Sequence, residues 1–444
     1  MLLFTKIKIN YQNKGNLLVT DCLFNNIYFI WGGRMNKRKE ILVLGLALFS
    51  MFFGAGNLLF PPSLGVAVGQ SWFIAGIGFF ITGVGLPLLG ILAFTKGGSL
   101  DEFASKVSKK FNTAYLTTLI LVIGPLFAIP RTGSTTFEMG VLPLIGGADP
   151  KISAIACSVV FFGITLFLVL NESKVTDVLG KFLTPIILVI LALITVFGIL
   201  NPIGEPVASI VEGSQFSYGF INGYQTMDAL ASVLFGVIIV KGLEGKGVTD
   251  SKEQKVFLTR AGFIAALGLG LIYFSLIYLG AQISSMQNLS TAQTALMVAE
   301  LTLGSSGKIA FGICVAAACL TTSVGLTALV SDWFSKLTNI SYKKVAIITC
   351  IFSAILAVAG LDYIISLAVP VLVILYPVTI VLIVLNILGV ENRNCFAFAT
   401  IITLIISILE VLKVNLSFIP LSNLGFAWII PAIIAFLIGK VIKN

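Results

Sequence analysis

Four short stretches carry most of the chemistry in this sequence. Phe52 to Pro62 reads FFGAGNLLFPP, which sets two glycines, an asparagine and two prolines inside an apolar run. Glycine weakens a helix interior by about 1 kcal/mol relative to alanine, and proline removes a backbone donor and crowds the preceding turn. The stretch therefore predicts a helix broken near Gly54, Ala55, Gly56 and Asn57. Such a break aims free N–H groups and a positive dipole end at an anion, while carbonyls on its other side suit a cation. The bland alternative is a small-residue packing face with a proline kink. The second stretch, NGYQTMDALAS from Asn222 to Ser232, is too polar to face hydrocarbon, and Asp228 is the one acidic side chain placed well inside an apolar run. Ionisable groups are costly there and tend to be functional, the alternative being a structural hydrogen bond to a neighbouring helix. In the third stretch, Thr321, Thr322 and Ser323 put adjacent hydroxyls on an apolar helix, where bonding back to carbonyls of their own helix is the competing role. The fourth holds Arg131 and Glu138, seven apart and so on one helix face, as a gate pair, an interior structural pair or side chains reaching for the interface.

The rest of the composition says what these groups are not. Of 444 residues 57% are hydrophobic and 11% charged, with a mean hydropathy of +1.05, which belongs to polytopic membrane proteins. Histidine is absent, which removes histidine metal sites, Ser-His-Asp and Cys-His catalysis and histidine proton relays. The acids are not clustered, so the chain is not read as an enzyme. No continuous polar pore or repeated filter suggests a channel. The six cysteines lie mostly in apolar runs without CxxC spacing and read as small packing residues.

The elements that must hold the four stretches are membrane helices. A window of about 19 residues gives twelve candidate spans, at 41–68, 72–95, 115–138, 152–171, 179–200, 218–241, 260–283, 308–332, 344–361, 363–388, 396–414 and 423–442. Lys and Arg gather on alternate loops, as at Lys37 to Lys39, Lys106 to Lys110 and Lys252 to Arg260. The opposite side holds Lys151, Lys308 and Lys413, the last of which reads as half of an interfacial i, i+3 pair with Glu410 and has no transport role. The positive-inside rule then places both termini in the cytoplasm, and the net charge of +9 is a topology signal with no bearing on nucleic acid. The broken spans are the first and the sixth, so spans 1 to 5 and 6 to 10 read as two inverted halves, about 41–200 and 218–388, with helices at about 396–442 appended. Residues 1–34 lack a span-length apolar run, a signal-peptide layout and helical periodicity. Met35 looks like a natural beginning, and WGGR just before it requires the G-rich codons of a ribosome-binding site. The expectation is that the native protein starts at Met35 and that 35–444 is one transporter domain.

LFSMFFGAGNLLFPPSLG, with PLFAIPRTGSTTFE, NGYQTMDALAS and LTTSVGLT, resembles the branched-chain amino acid:cation symporter family, the bacterial system II carriers. The resemblance runs from Met35 to Asn444. It implies an all-α polytopic protein with the leucine-transporter fold, in the amino acid/polyamine/organocation superfamily. It also implies sodium-coupled uptake of leucine, isoleucine or valine across the bacterial cell membrane, with no cofactor and no obligate protein partner. Proton coupling through Asp228, or a different amino acid range, is the alternative. A zwitterionic substrate needs an anion site, acceptors for its ammonium and an apolar pocket. The N–H groups around Gly54, Ala55, Gly56 and Asn57 suit the carboxylate, carbonyls near Gln225 and Thr226 with Asp228 suit the ammonium, and Phe53 and Phe235 suit the side chain. Sodium is a hard cation that takes oxygen ligands. In the fold that the chain resembles, hydroxyls such as those of Thr321, Thr322 and Ser323 complete a sodium site with carbonyls of the first broken helix, here Phe53.

Overall fold

The computed structural model describes residues 37–95, 99–145, 149–170, 175–245 and 247–442, with the backbone alone for 175–185. The expectation for residues 1–34 lies outside them. The described residues are helical, without a strand. The first span is α1 (Lys37–Phe52) and α2 (Gly56–Val68). The second is α3 (Trp72–Phe80) and α4 (Leu86–Leu92), joined through a π-helical turn at Ile81–Gly85. The third is α5 (Lys109–Leu121) and α6 (Ala128–Thr135), with π-helical turns at Val122–Leu126 and Thr136–Val141. Then come α7 (Pro150–Leu170), α8 (Val175–Leu200), α9 (Gln215–Asn222), α10 (Asp228–Gly245) and α11 (Ser251–Gln282). The chain ends with α12 (Thr291–Thr338), α13 (Tyr342–Ala357), α14 (Leu361–Leu388), α15 (Arg393–Val411) and α16 (Ile429–Val441). Seven helices among the described residues are long and apolar enough to cross a bilayer, or eight if the α9 and α10 pair, bent by 50°, is one span. The chain is a multi-pass membrane protein.

Helix α11 shows why these sequences fold as they do. Ala261, Ala265, Leu269 and Tyr273 recur at four-residue spacing and are fully buried. Phe263, Leu267 and Leu271, on the opposite face, are 56–70% exposed. A helix whose outward face is as apolar as its inward face is built for lipid. Small residues set the inner contacts. A side chain at Gly65 of α2 would overlap the Ile277 carbonyl of α11, and one at Gly280 would overlap the Pro62 carbonyl. The same holds between α3 and α9, where Gly78 lies against Phe216 and Gly219 against Ala75. Thr82 strengthens that crossing by donating to the Phe220 carbonyl at 2.9 Å.

Three local readings of the sequence are corrected. The prolines do not break the first span: α2 runs through Pro61 and Pro62, and the interruption lies earlier, at Phe53 to Ala55. The fixed φ of proline is compatible with a helix, and the tight crossing with α11 holds the turn that lacks its bonds. Arg131 and Glu138 do not pair, because the π-helical turn that starts at Thr136 intervenes; one residue of slip rotates a helix face by about 100°. Glu410 and Lys413 form no ion pair among the described residues: α15 ends at Val411, and Lys413 lies in a left-handed turn (φ 57°).

Candidate functional site

The two interrupted spans meet through their newly started helices. At the first break the Asn57 amide N–H donates to the Gly54 carbonyl at 3.1 Å, and Leu58 donates to Ala55 at 3.1 Å. The side-chain amide of Asn57 uses both of its protons: one goes to the Phe52 carbonyl at the end of α1, the other to Asp228 Oδ2 at 3.0 Å. Asn57 thus closes the end of one half-helix and reaches the other broken span. Among the described residues, no backbone donor reaches the Phe53 carbonyl. A side chain at Gly54 would meet nothing within 4 Å, so the break borders open space.

At the second break a 3₁₀ turn at Gly223–Thr226 ends on Met227, which takes φ 61°. A left-handed conformation in a residue other than glycine costs on the order of 1 kcal/mol or more and is sustained by its surroundings. Met227 is buried, and its amide donates to the Tyr224 carbonyl at 3.0 Å. The Thr226 hydroxyl donates to the Gly223 carbonyl at 3.0 Å and accepts from the Asp228 amide at 3.3 Å. These bonds turn the chain so that Asp228 opens α10 with its carboxylate facing Asn57.

Arg131 of α6 lies between the breaks. It is 7% exposed, donates from Nη1 to the Gln225 carbonyl at 2.7 Å, and stacks its guanidinium on the Phe60 ring at 5.2 Å. Its Nη2 lies 3.0 Å from where a Cβ at Gly56 would sit. It forms no direct ion pair with Asp228. Glu138 turns to α14, where Oε1 accepts the Leu361 amide at 2.8 Å, a carboxylate on a helix N-terminus.

The remaining expected residues are spread around this centre. Phe53 stacks on Phe49 with ring centroids 5.2 Å apart, and Phe235 faces Phe52 at 6.1 Å. Both rings are half-buried on the α1 side of the break. The hydroxyl triplet of α12 divides its roles. Thr321 donates to the Ala318 carbonyl of its own helix at 2.8 Å, and the buried Ser323 accepts from Thr165 of α7 at 3.2 Å. The sequence reading missed Phe60, Tyr273 and Tyr376. The two tyrosines are fully buried. Their signal was a phenol set inside an apolar span.

An interrupted-helix bundle of this kind is a transporter fold. MhsT, solved in complex with L-phenylalanine, matches with a TM-score of 0.55 over 92% of this chain and 98% of its own, at 17% identity. A Na+-coupled sialic acid symporter, solved in a substrate-bound outward-open state, matches with a TM-score of 0.53 over 96% and 95%, at 16% identity. At these identities the likeness is one of fold. Residues 37–444 match the family described as branched-chain amino acid transport protein, and the chain belongs to that family. It is 41% identical to the branched-chain amino acid permease BraB of Bacillus subtilis over 91% of this chain and 95% of the permease. It is 38% identical to the branched-chain amino acid transport system 2 carrier protein of Pseudomonas aeruginosa, over 91% and 96%. The chain is a member of a transport family and not an enzyme.

Proposed function

We propose that this protein is a secondary active transporter that imports leucine, isoleucine and valine with sodium across the cell membrane. In this reading twelve spans form two inverted halves of five, α1 to α8 and α9 to α14, with α15 and α16 appended and both termini cytoplasmic. The observation that carries the reading is the 3.0 Å bond between Asn57 and Asp228, which joins the starts of two half-helices inside the bundle. Family membership and the 38–41% identical permease and carrier support the substrate class. The N-terminus of α2 favours the substrate carboxylate, and the Asp228 carboxylate takes the ammonium. The aromatic surroundings of Phe53, Phe60 and Phe235 exclude water and accept a branched apolar side chain. Sodium is treated as a coupling substrate. The oxygens that suit it are neutral ones, the undonated carbonyl of Phe53 and the hydroxyls of Thr322 and Ser323, in keeping with a hard cation.

Proton coupling is the second reading, favoured by the burial of Asp228 at the centre of the site. Uptake of labelled leucine into proteoliposomes, with sodium and pH gradients imposed separately, decides between the two. Accumulation driven by sodium alone is the expected result. Accumulation driven by a pH gradient alone would replace sodium with protons, and equilibration without accumulation under either gradient would defeat the secondary active reading.

A further inference from the structure

We propose that Arg131 binds the carboxylate of the transported amino acid, giving up its hydrogen bond to the Gln225 carbonyl when substrate enters. The proposal rests on the reading of the chain as an amino acid transporter and names the recognition element of that site. A buried guanidinium in an apolar span is costly unless it is paired or serves a ligand. The bond to Gln225 uses one of five donors, and the Nη2 edge lies at the first break beside Gly56. The absent side chain at Gly56 is what lets that edge reach the break, where a Cβ would lie only 3.0 Å from Nη2.

The second half of the argument is the opposite charge. Asp228 is buried on the other side of the same centre, and it is held there by Asn57 at 3.0 Å and by its own amide on Thr226. The two buried side chains form no direct ion pair and are each held by their own hydrogen bonds. The arrangement is complementary to a zwitterion, with its carboxylate on Arg131 and its ammonium on Asp228. The planar fork of arginine matches a carboxylate in two-bond geometry, which a lysine cannot reproduce. The carbonyl of Gln225 is the weaker acceptor, being neutral, so a carboxylate displaces it.

The test compares leucine with leucinamide, which keeps the side chain and the ammonium but carries a neutral amide in place of the carboxylate. Binding of each to the purified full chain is read from ligand-dependent thermal stabilisation. Wild type should bind leucine at least about 100-fold more tightly than leucinamide, the scale of a lost charge-assisted contact. In Arg131→Gln leucine binding should weaken by about 100-fold and the preference over leucinamide should collapse. A folded Arg131→Gln that keeps the wild-type preference overturns the proposal and leaves Arg131 as a strut between α6 and the second break. If Arg131→Gln does not fold, Arg131→Lys carries the test. It should keep the exclusion of leucinamide yet bind leucine about tenfold more weakly, because the fork is lost; unchanged leucine affinity overturns the proposal. Wild-type protein that binds none of leucine, isoleucine and valine would defeat the substrate reading itself, a separate outcome from failure of the arginine alone.

Discussion

A methyl group added at Gly56 tests how closely the first break is fitted to its surroundings. The Cβ of Gly56→Ala would lie 3.0 Å from Arg131 Nη2 and 3.3 Å from Phe60 Cε2. Ordinary contact with carbon begins at about 3.5 Å, so the guanidinium must retreat by about half an ångström. It is pinned at 2.7 Å to the Gln225 carbonyl, and a retreat of that size does not leave so short a bond intact. A hydrogen bond to a charged group contributes roughly 1.5–3 kcal/mol, against a gain of at most about 1 kcal/mol from the better helix propensity of alanine. The balance is a loss of about 0.5–2 kcal/mol in stability and a drop of roughly tenfold in leucine affinity. Gly56→Leu, whose side chain also fills the space beside the guanidinium, should abolish binding. Gly83→Ala is the control: its Cβ would meet Phe79, Tyr273 and Thr226 at 3.4, 3.5 and 3.6 Å, so the change should stay within about 1 kcal/mol. Thermal unfolding in detergent and scintillation-proximity binding of leucine read both quantities. Wild-type affinity in a folded Gly56→Leu would refute the reasoning and return the stretch to a packing role.

Gly65→Ala and Gly280→Ala should yield little folded protein by size exclusion in detergent, because each methyl would overlap a backbone carbonyl across the α2 and α11 crossing, whereas Gly163→Ala meets nothing within 4 Å and should behave as wild type. Thr322→Ala and Ser323→Ala should raise the sodium concentration for half-maximal leucine uptake several-fold at unchanged protein level. Thr321→Ala, whose hydroxyl is bonded within its own helix, should leave that concentration unchanged. Glu138→Ala should lower stability by about 1 kcal/mol through loss of the cap on α14, and it should add to Arg131→Gln within about 0.5 kcal/mol, since the two side chains share no partner; a larger coupling in a double-mutant cycle would restore the pair that the sequence suggests.

The breaks were legible because their cause is compositional. Glycine, asparagine and a lone aspartate inside apolar runs mark Gly54 to Asn57 and Asn222 to Asp228, and the chain leaves α-helical geometry within or beside them, at Phe53 to Ala55 and at Gly223 to Met227. The prolines misled, because whether a proline breaks a helix depends on what packs around the turn that lost its bond. The π-helical turn at Thr136–Val141 had no signature of that kind. An extra residue in a turn changes which side chains share a face without changing composition, so the spacing that put Arg131 with Glu138 was sound for an α-helix and wrong here. The left-handed Met227 was equally silent, since nothing in methionine favours that conformation. Arg131 was visible as a charge, but its partners lie on other spans, beyond what spacing along one helix can reach.

The glycine crossings have a mechanical consequence. Where backbone meets backbone there is no layer of side chains to shear, so these crossings hold the first span to α11 and the second to α9. The third span is fastened to α12 in the same way, with Gly312 against the Met139 carbonyl. Arg131 stands on the third span, and both breaks lie outside it. The contact from the guanidinium to Gln225 and Phe60 ties that span to the second break and to α2. A displacement of the third span against the breaks would strain the same short bond for which an incoming carboxylate is proposed to compete, so the group proposed to recognise the cargo also holds these elements together.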